Sequence, residues 1–214
     1  MQLSLEGVIP IPLRDKLSGR KSGLWQSTVS FNKGEYIFIQ APSGTGKTTL
    51  IHILYSLRKD YEGDVLWNKN SLTTITAEDL SELRKKNISI IFQDMRLFPE
   101  LTAIENLQIK RSLTDTVSEQ EVISWFHRLG IKDKQTSLAA TLSYGEQQRV
   151  AIIRSLVQPF DWLLMDEPFS HLDHANTNKA IDLISEVVKR NNAGIFLADL
   201  DHNTYFPYTK TLQL

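Results

Sequence analysis

Apolar positions cluster into short runs at Gln2–Leu5, Glu35–Gln40, Ser89–Phe92, Trp162–Met165, Gly194–Ala198 and Thr209–Leu214. These have the length of buried strands. Between them, apolar residues recur at helical spacing over Thr48–Leu57, Ala77–Lys86, Ser118–Leu129, Gly145–Val157 and His174–Arg190. Alternation of strand and helix predicts an α/β domain built on a mainly parallel sheet. Residues from about 95 to about 140 break the rhythm, reading as helices and loops with no strand. They predict a helical insertion in one continuous domain over residues 1–214, since Gly and Pro gather into no linker.

Composition adds mostly exclusions. Lys and Arg number 24 against 25 Asp and Glu, a formal charge of -1, so no global basic field calls for nucleic acid and no acidic excess for disorder. Cysteine is absent, which removes disulfides, thiolate catalysis and Cys-ligated zinc. Met1–Lys16 shows no basic segment leading into an apolar one, and no apolar run approaches the ~20 residues of a membrane-spanning helix. The chain is therefore expected in the cytoplasm, meeting a membrane only through a partner.

The most informative stretch is Ala41-Pro42-Ser43-Gly44-Thr45-Gly46-Lys47-Thr48-Thr49, directly after a strand and directly before a helix. Small residues let successive backbone N–H groups turn toward an anion, and the helix adds its positive end: a P-loop for a nucleoside triphosphate. Lys47 would reach the terminal phosphates, and the Thr48 hydroxyl would ligate Mg²⁺. Ala41 stands where glycine is commonest in such loops.

Trp162–Met165 ends in Asp166-Glu167-Pro168. Ligands of α/β sheets gather at the carboxyl ends of strands, so Asp166 is placed to complete a Mg²⁺ shell and Glu167 to polarise a water. Taken alone, the pair also reads as two acids capping a strand before a proline turn.

Leu142-Ser143-Tyr144-Gly145-Glu146-Gln147-Gln148-Arg149 completes a set that resembles the ATP-binding cassette (ABC) ATPases and their signature motif. By itself this segment is also an ordinary helix start, Ser143 capping with Glu146 three positions on. The resemblance implies a P-loop NTPase fold of ABC type, with a mainly parallel sheet, an antiparallel N-terminal β part and a helical insertion. It further implies that two cassettes pack head to tail, Ser143 and Gly145 of one facing the γ-phosphate on the other's P-loop. Gln93, in Ile91-Phe92-Gln93-Asp94, is similar to the family's Q-loop glutamine, which touches Mg²⁺ and the attacking water. Ser170-His171-Leu172-Asp173 resembles the D-loop of the dimer interface.

Three positions depart from the family pattern. Leu200 stands where the switch histidine is expected, and a leucine offers phosphate no hydrogen bond. His202 follows two residues later as a substitute, or as a plain surface histidine. Upstream, Ile9-Pro10-Ile11-Pro12 supplies no aromatic to stack on adenine, which leaves Trp25 as a stacking or packing residue. Tyr144 replaces the usual glycine of the signature.

The run from Phe92 to Asn106 resembles the lipoprotein-releasing, macrolide-efflux and cell-division branch. There the ATPase is a separate short chain that drives a membrane permease, and the close of the chain at Leu214 leaves no regulatory domain in this reading. Exposed apolar residues such as Phe98 and Leu101 are candidates for receiving the permease. The expectation is an ATP hydrolase using ATP and Mg²⁺, with Glu167, Gln93 and Lys47 as catalytic groups. It works as a homodimer or heterodimer, peripheral at the cytoplasmic face of the inner membrane through its permease, with no nucleic-acid partner. A nucleotide-controlled clamp with little hydrolysis is the alternative, to which Leu200 gives weight.

Overall fold

A computed structural model of the chain describes residues 1–17, 22–42, 44–200 and 203–214. Among the described residues, nine strands form two sheets. The first, antiparallel, has the order β2-β1-β4-β5 and comprises β1 (Gln2–Pro10), β2 (Thr28–Asn32), β4 (Tyr61–Trp67) and β5 (Asn70–Ser71). The second, parallel throughout, has the order β6-β7-β8-β3-β9. Its strands are β3 (Tyr36–Gln40), β6 (Ile88–Ile91), β7 (Trp162–Asp166), β8 (Gly194–Asp199) and β9 (Lys210–Gln213). The helices are α1 (Arg14–Leu17), α2 (Lys47–Leu54), α3 (Ala77–Lys86), α4 (Ala103–Arg111), α5 (Glu119–Arg128), α6 (Tyr144–Leu156) and α7 (His174–Arg190).

The parallel sheet is covered on both faces, and this is why its strands read as unbroken apolar runs. On β7, Trp162 and Leu164 point into one core with α2 and the antiparallel sheet; Leu163 and Met165 point into the other, with α4 to α7. The two-residue period of the strand assigns alternate side chains to the two cores. Helix α2 is thereby clamped between the sheets through Leu50, Ile51, Ile53 and Leu54. That fixes the loop at its N-terminus against the carboxyl ends of β3 and β8, where Ala41 N–H donates to Asp199 O at 3.4 Å.

The expected strands and helices are all present, with shifts at their ends. The antiparallel sheet adds β2, β4 and β5, which the apolar pattern did not mark. Strand β4 bends at Gly63, whose φ is +80°. A Cβ there would lie 2.4 Å from Glu6 O, at the register shift of β1 between Glu6 and Ile9. Only glycine permits that approach. Between β6 and β7 the described residues form helices and turns, with a single bridge from Thr102 to Leu138. Among the described residues no helix is long and apolar enough to cross a membrane.

Candidate functional site

Helix α2 begins where Gly44 and Gly46 both take positive φ, +77° and +107°. The space beside Gly46 is closed by its neighbours: a Cβ would stand 2.8 Å from Leu13 Cδ1 and 3.4 Å from Trp25 Cζ2. Glycine is thus required for the conformation, while the leucine tip could shift. The Thr45 hydroxyl ties the loop to itself by donating to Pro42 O at 2.7 Å. Ser43 lies outside the described residues.

A cavity of about 290 Å³ opens here, lined by Leu13, Gly44, Gly46, Lys47, Thr48, Thr49, Gln93 and Glu167. The P-loop, Gln93 and Glu167, far apart in sequence, therefore converge on one place. Lys47 is only 5% exposed. Its ammonium donates to Ala41 O at 2.9 Å and Pro42 O at 3.4 Å, and faces Glu167 Oε1 at 3.4 Å. Gln93, just past β6, donates through Nε2 to Glu167 Oε2 at 3.0 Å and accepts from the Thr48 hydroxyl at 3.5 Å. Lys47, Glu167, Gln93 and Thr48 form a continuous polar chain across the cavity.

Asp166, the last residue of β7, is 1% exposed, and both its carboxylate oxygens lack a hydrogen-bond partner. Burial pushes its pKa up to about 6; the neighbouring Thr48 hydroxyl lowers it in part, and the Glu167 charge raises it further. A buried carboxylate with no partner is costly. Oxygen donors from an acid and a hydroxyl suit a hard divalent cation, so the site's chemistry fits Mg²⁺. Glu167 turns the other way because its backbone is left-handed, φ +45°. This strained turn is anchored by Glu167 N–H donating to Ala198 O at 2.9 Å.

Residues 24–170 match the ABC transporter family. The chain belongs to that family. It is similar to the lipoprotein-releasing system ATP-binding protein LolD of Legionella pneumophila strain Lens, 35% identical over 81% of this chain and 78% of the relative. It is similar also to the cell division ATP-binding protein FtsE of Bacillus subtilis, 32% identical over 82% of this chain and 77% of the relative. Among solved structures, the dimeric bacterial ABC transporter cassette MJ0796 superposes with a TM-score of 0.78 at 25% identity, covering 93% of this chain and 88% of its own. A post-hydrolysis dimer of the same cassette, bound to ADP and Pi, gives the same TM-score.

In this ABC cassette, Ser143 and Gly145 do not line the P-loop cavity. Ser143 is the N-cap of α6 in a complete capping box: its hydroxyl accepts from Glu146 N–H at 3.4 Å, while Glu146 Oε2 accepts from Ser143 N–H at 2.8 Å and from its hydroxyl at 2.9 Å. These hydrogen bonds, with Lys134 at 3.2 Å, hold the Glu146 pKa below its ordinary value. Gly145 packs so closely that a Cβ would meet His171 O at 2.9 Å. Tyr144 is exposed, its ring edge-on to His171 at 5.4 Å.

Trp25 is not open to a nucleotide base. It is 4% exposed, packed beneath Gly46 in the core. The aliphatic Leu13 forms the cavity wall on that side. Leu200 lies exposed just past β8, and His202 lies outside the described residues.

Two supporting residues escaped the sequence reading. Gln148, wholly buried on α6, donates to Glu167 O at 3.4 Å and accepts from His171 N–H at 2.8 Å. It thus braces the turn that aims Glu167. Arg154, two turns further along α6, donates to Met95 O at 2.5 Å and Arg96 O at 2.6 Å. Met95 and Arg96 are both left-handed, φ +57° and +50°, so Arg154 holds the strained turn that follows Gln93.

Proposed function

We propose that this chain is the ATP-hydrolysing subunit of an ABC transporter or related membrane complex, and that it dimerises on Mg-ATP to drive a separate permease. The observation that carries this reading is the cluster of Lys47, Glu167, Gln93 and Thr48 around one P-loop cavity, with the partnerless Asp166 buried beside Thr48. Family membership supports it. On this reading residues 1–214 are one ATPase domain with a helical subdomain inserted at about 95–140.

In the reaction, backbone N–H groups from Gly44 to Thr49 and the α2 dipole hold the phosphates. Lys47 leaves the carbonyls of Ala41 and Pro42 for the terminal phosphate oxygens, which releases Glu167 from its ammonium. Thr48 and Asp166, with Gln93, would hold Mg²⁺, which when bound neutralises charge on the phosphate oxygens. Glu167 accepts a proton from the attacking water, and Gln93, already bonded to that carboxylate, orients the water. The Ser143 hydroxyl and the α6 N-terminus of a second cassette, homo- or heteromeric, face the γ-phosphate across the dimer.

The relatives' tasks suggest a membrane partner, and on that reading the chain sits at the cytoplasmic face of the inner membrane through it, with no nucleic-acid role. Steady-state phosphate release by the chain with its membrane partner tests hydrolysis. The expected result is turnover in wild type and none in Glu167→Gln, while ATP-dependent dimers accumulate. Binding of ATP without turnover in either protein would replace the hydrolase by the clamp.

A further inference from the structure

The segment that follows Glu167 is locked onto the first turns of α6 at three points. Gln148 accepts from His171 N–H at 2.8 Å and donates to Glu167 O at 3.4 Å. Gly145 approaches so closely that a Cβ would meet His171 O at 2.9 Å. The Tyr144 ring stands edge-on to the His171 imidazole, with centroids 5.4 Å apart. The backbone of His171 is thus fixed at both its N–H and its carbonyl, while its side chain lies exposed beside Tyr144, itself 70% accessible.

Among the described residues neither ring nitrogen of His171 has a hydrogen-bond partner in the chain. The acids of this face are already occupied. Glu146 accepts from Ser143 and pairs with Lys134 at 3.2 Å, and Asp173 caps α7 by accepting from Asn176 N–H at 2.8 Å. An anion brought here therefore meets donors fixed before it arrives, the arrangement that stabilises phosphate charge best. Tyr144 directly follows Ser143, so the imidazole shares the face assigned above to the γ-phosphate of a second cassette. On the nucleotide's own side the P-loop cavity presents Lys47, Thr48 and Gln93, while Leu200, exposed just past β8, has no donor to offer.

We propose that His171, steadied by Tyr144, is a catalytic residue acting across the dimer: its imidazole N–H donates to the γ-phosphate held by a second cassette, the contact that Leu200 withholds from the nucleotide's own side. The inference rests on the reading of the chain as an ATPase that dimerises on Mg-ATP, and adds to it a residue and a direction. Gln148 and Gly145 set where the imidazole stands, and the edge-on ring of Tyr144 limits its rotation.

Phosphate release and ATP-driven dimerisation of the full-length chain test the assignment together. His171→Ala is expected to lower turnover by about tenfold or more. His171→Gln, which keeps an N–H donor, should retain most of it, and Leu200→His added to His171→Ala should restore it by offering the phosphate a donor from its own cassette. In the Glu167→Gln background, His171→Ala should raise by about tenfold the ATP concentration needed for dimers on gel filtration, with Mg-ATP binding to the monomer unchanged. If His171→Ala leaves turnover and dimer formation as in the parent chain, or if neither His171→Gln nor Leu200→His recovers the loss, the assignment is refuted while the hydrolase reading stands. If wild type with its membrane partner releases no phosphate, both fall.

Discussion

The P-loop cluster and the start of α6, the two regions proposed to meet the nucleotide, are finished to different degrees. Around the P-loop, Lys47 is folded back on its own loop carbonyls, and Asp166 holds two buried oxygens with no partner. At the start of α6, Ser143 and Glu146 satisfy each other completely. The first region carries the cost of a buried, unpartnered carboxylate, which a bound divalent cation would relieve. The second is a stable helix start that gains a further role only when another molecule is brought against it. On the proposed reading, ligand binding and assembly are separable: the P-loop side fills first, and the capped helix of a second cassette meets it second.

Removing the proton acceptor has the largest expected effect. Glu167→Gln should lower phosphate release by about a hundredfold or more while Mg-ATP binding persists, as measured by steady-state release and equilibrium titration on the same preparation. Ser143→Ala separates the two regions. Loss of the cap should cost about 1 kcal/mol of stability in thermal unfolding and abolish ATP-dependent dimers on gel filtration, with monomer binding of Mg-ATP unchanged. If monomer binding fell as well, the two regions would not be independent.

Smaller effects come from positions at the margins. Leu200→His should raise turnover by up to about tenfold if a phosphate hydrogen bond is missing there; unchanged rates would mean another group already supplies it. Lys110→Met should raise the melting temperature of the isolated chain at pH 7, because it deletes a partly buried cation beside Arg154 and Ser89. The folded pKa of about 7 lies below the lysine's ordinary 10.5. The penalty is thus complete below pH 7 and fades as the pH rises toward 10.5. The melting gain should shrink accordingly between pH 7 and pH 10.

The parallel sheet was legible because burial on both faces leaves long apolar runs, as in Trp162–Asp166. Strand β4 was not, since Tyr-Glu-Gly-Asp-Val-Leu-Trp buries only Val65 and Trp67 and carries the glycine that the facing bulge of β1 requires. Residues of the P-loop, Asp166 and Glu167 stand out because contiguous backbone geometry demands particular residue types in a fixed order. Gln148 and Arg154 do not, since each acts on a segment tens of positions away that the folded chain alone brings near. Trp25 shows the converse failure: sequence proximity to the P-loop placed it correctly, but its ring faces the core.

Calorimetric titration of the full-length chain with Mg-ATP addresses the unfinished P-loop region most directly. Saturable heat in wild type, lost in Lys47→Ala and sharply reduced when magnesium is chelated, is the predicted result. Equal heats in wild type and Lys47→Ala, or no heat in either, would contradict it.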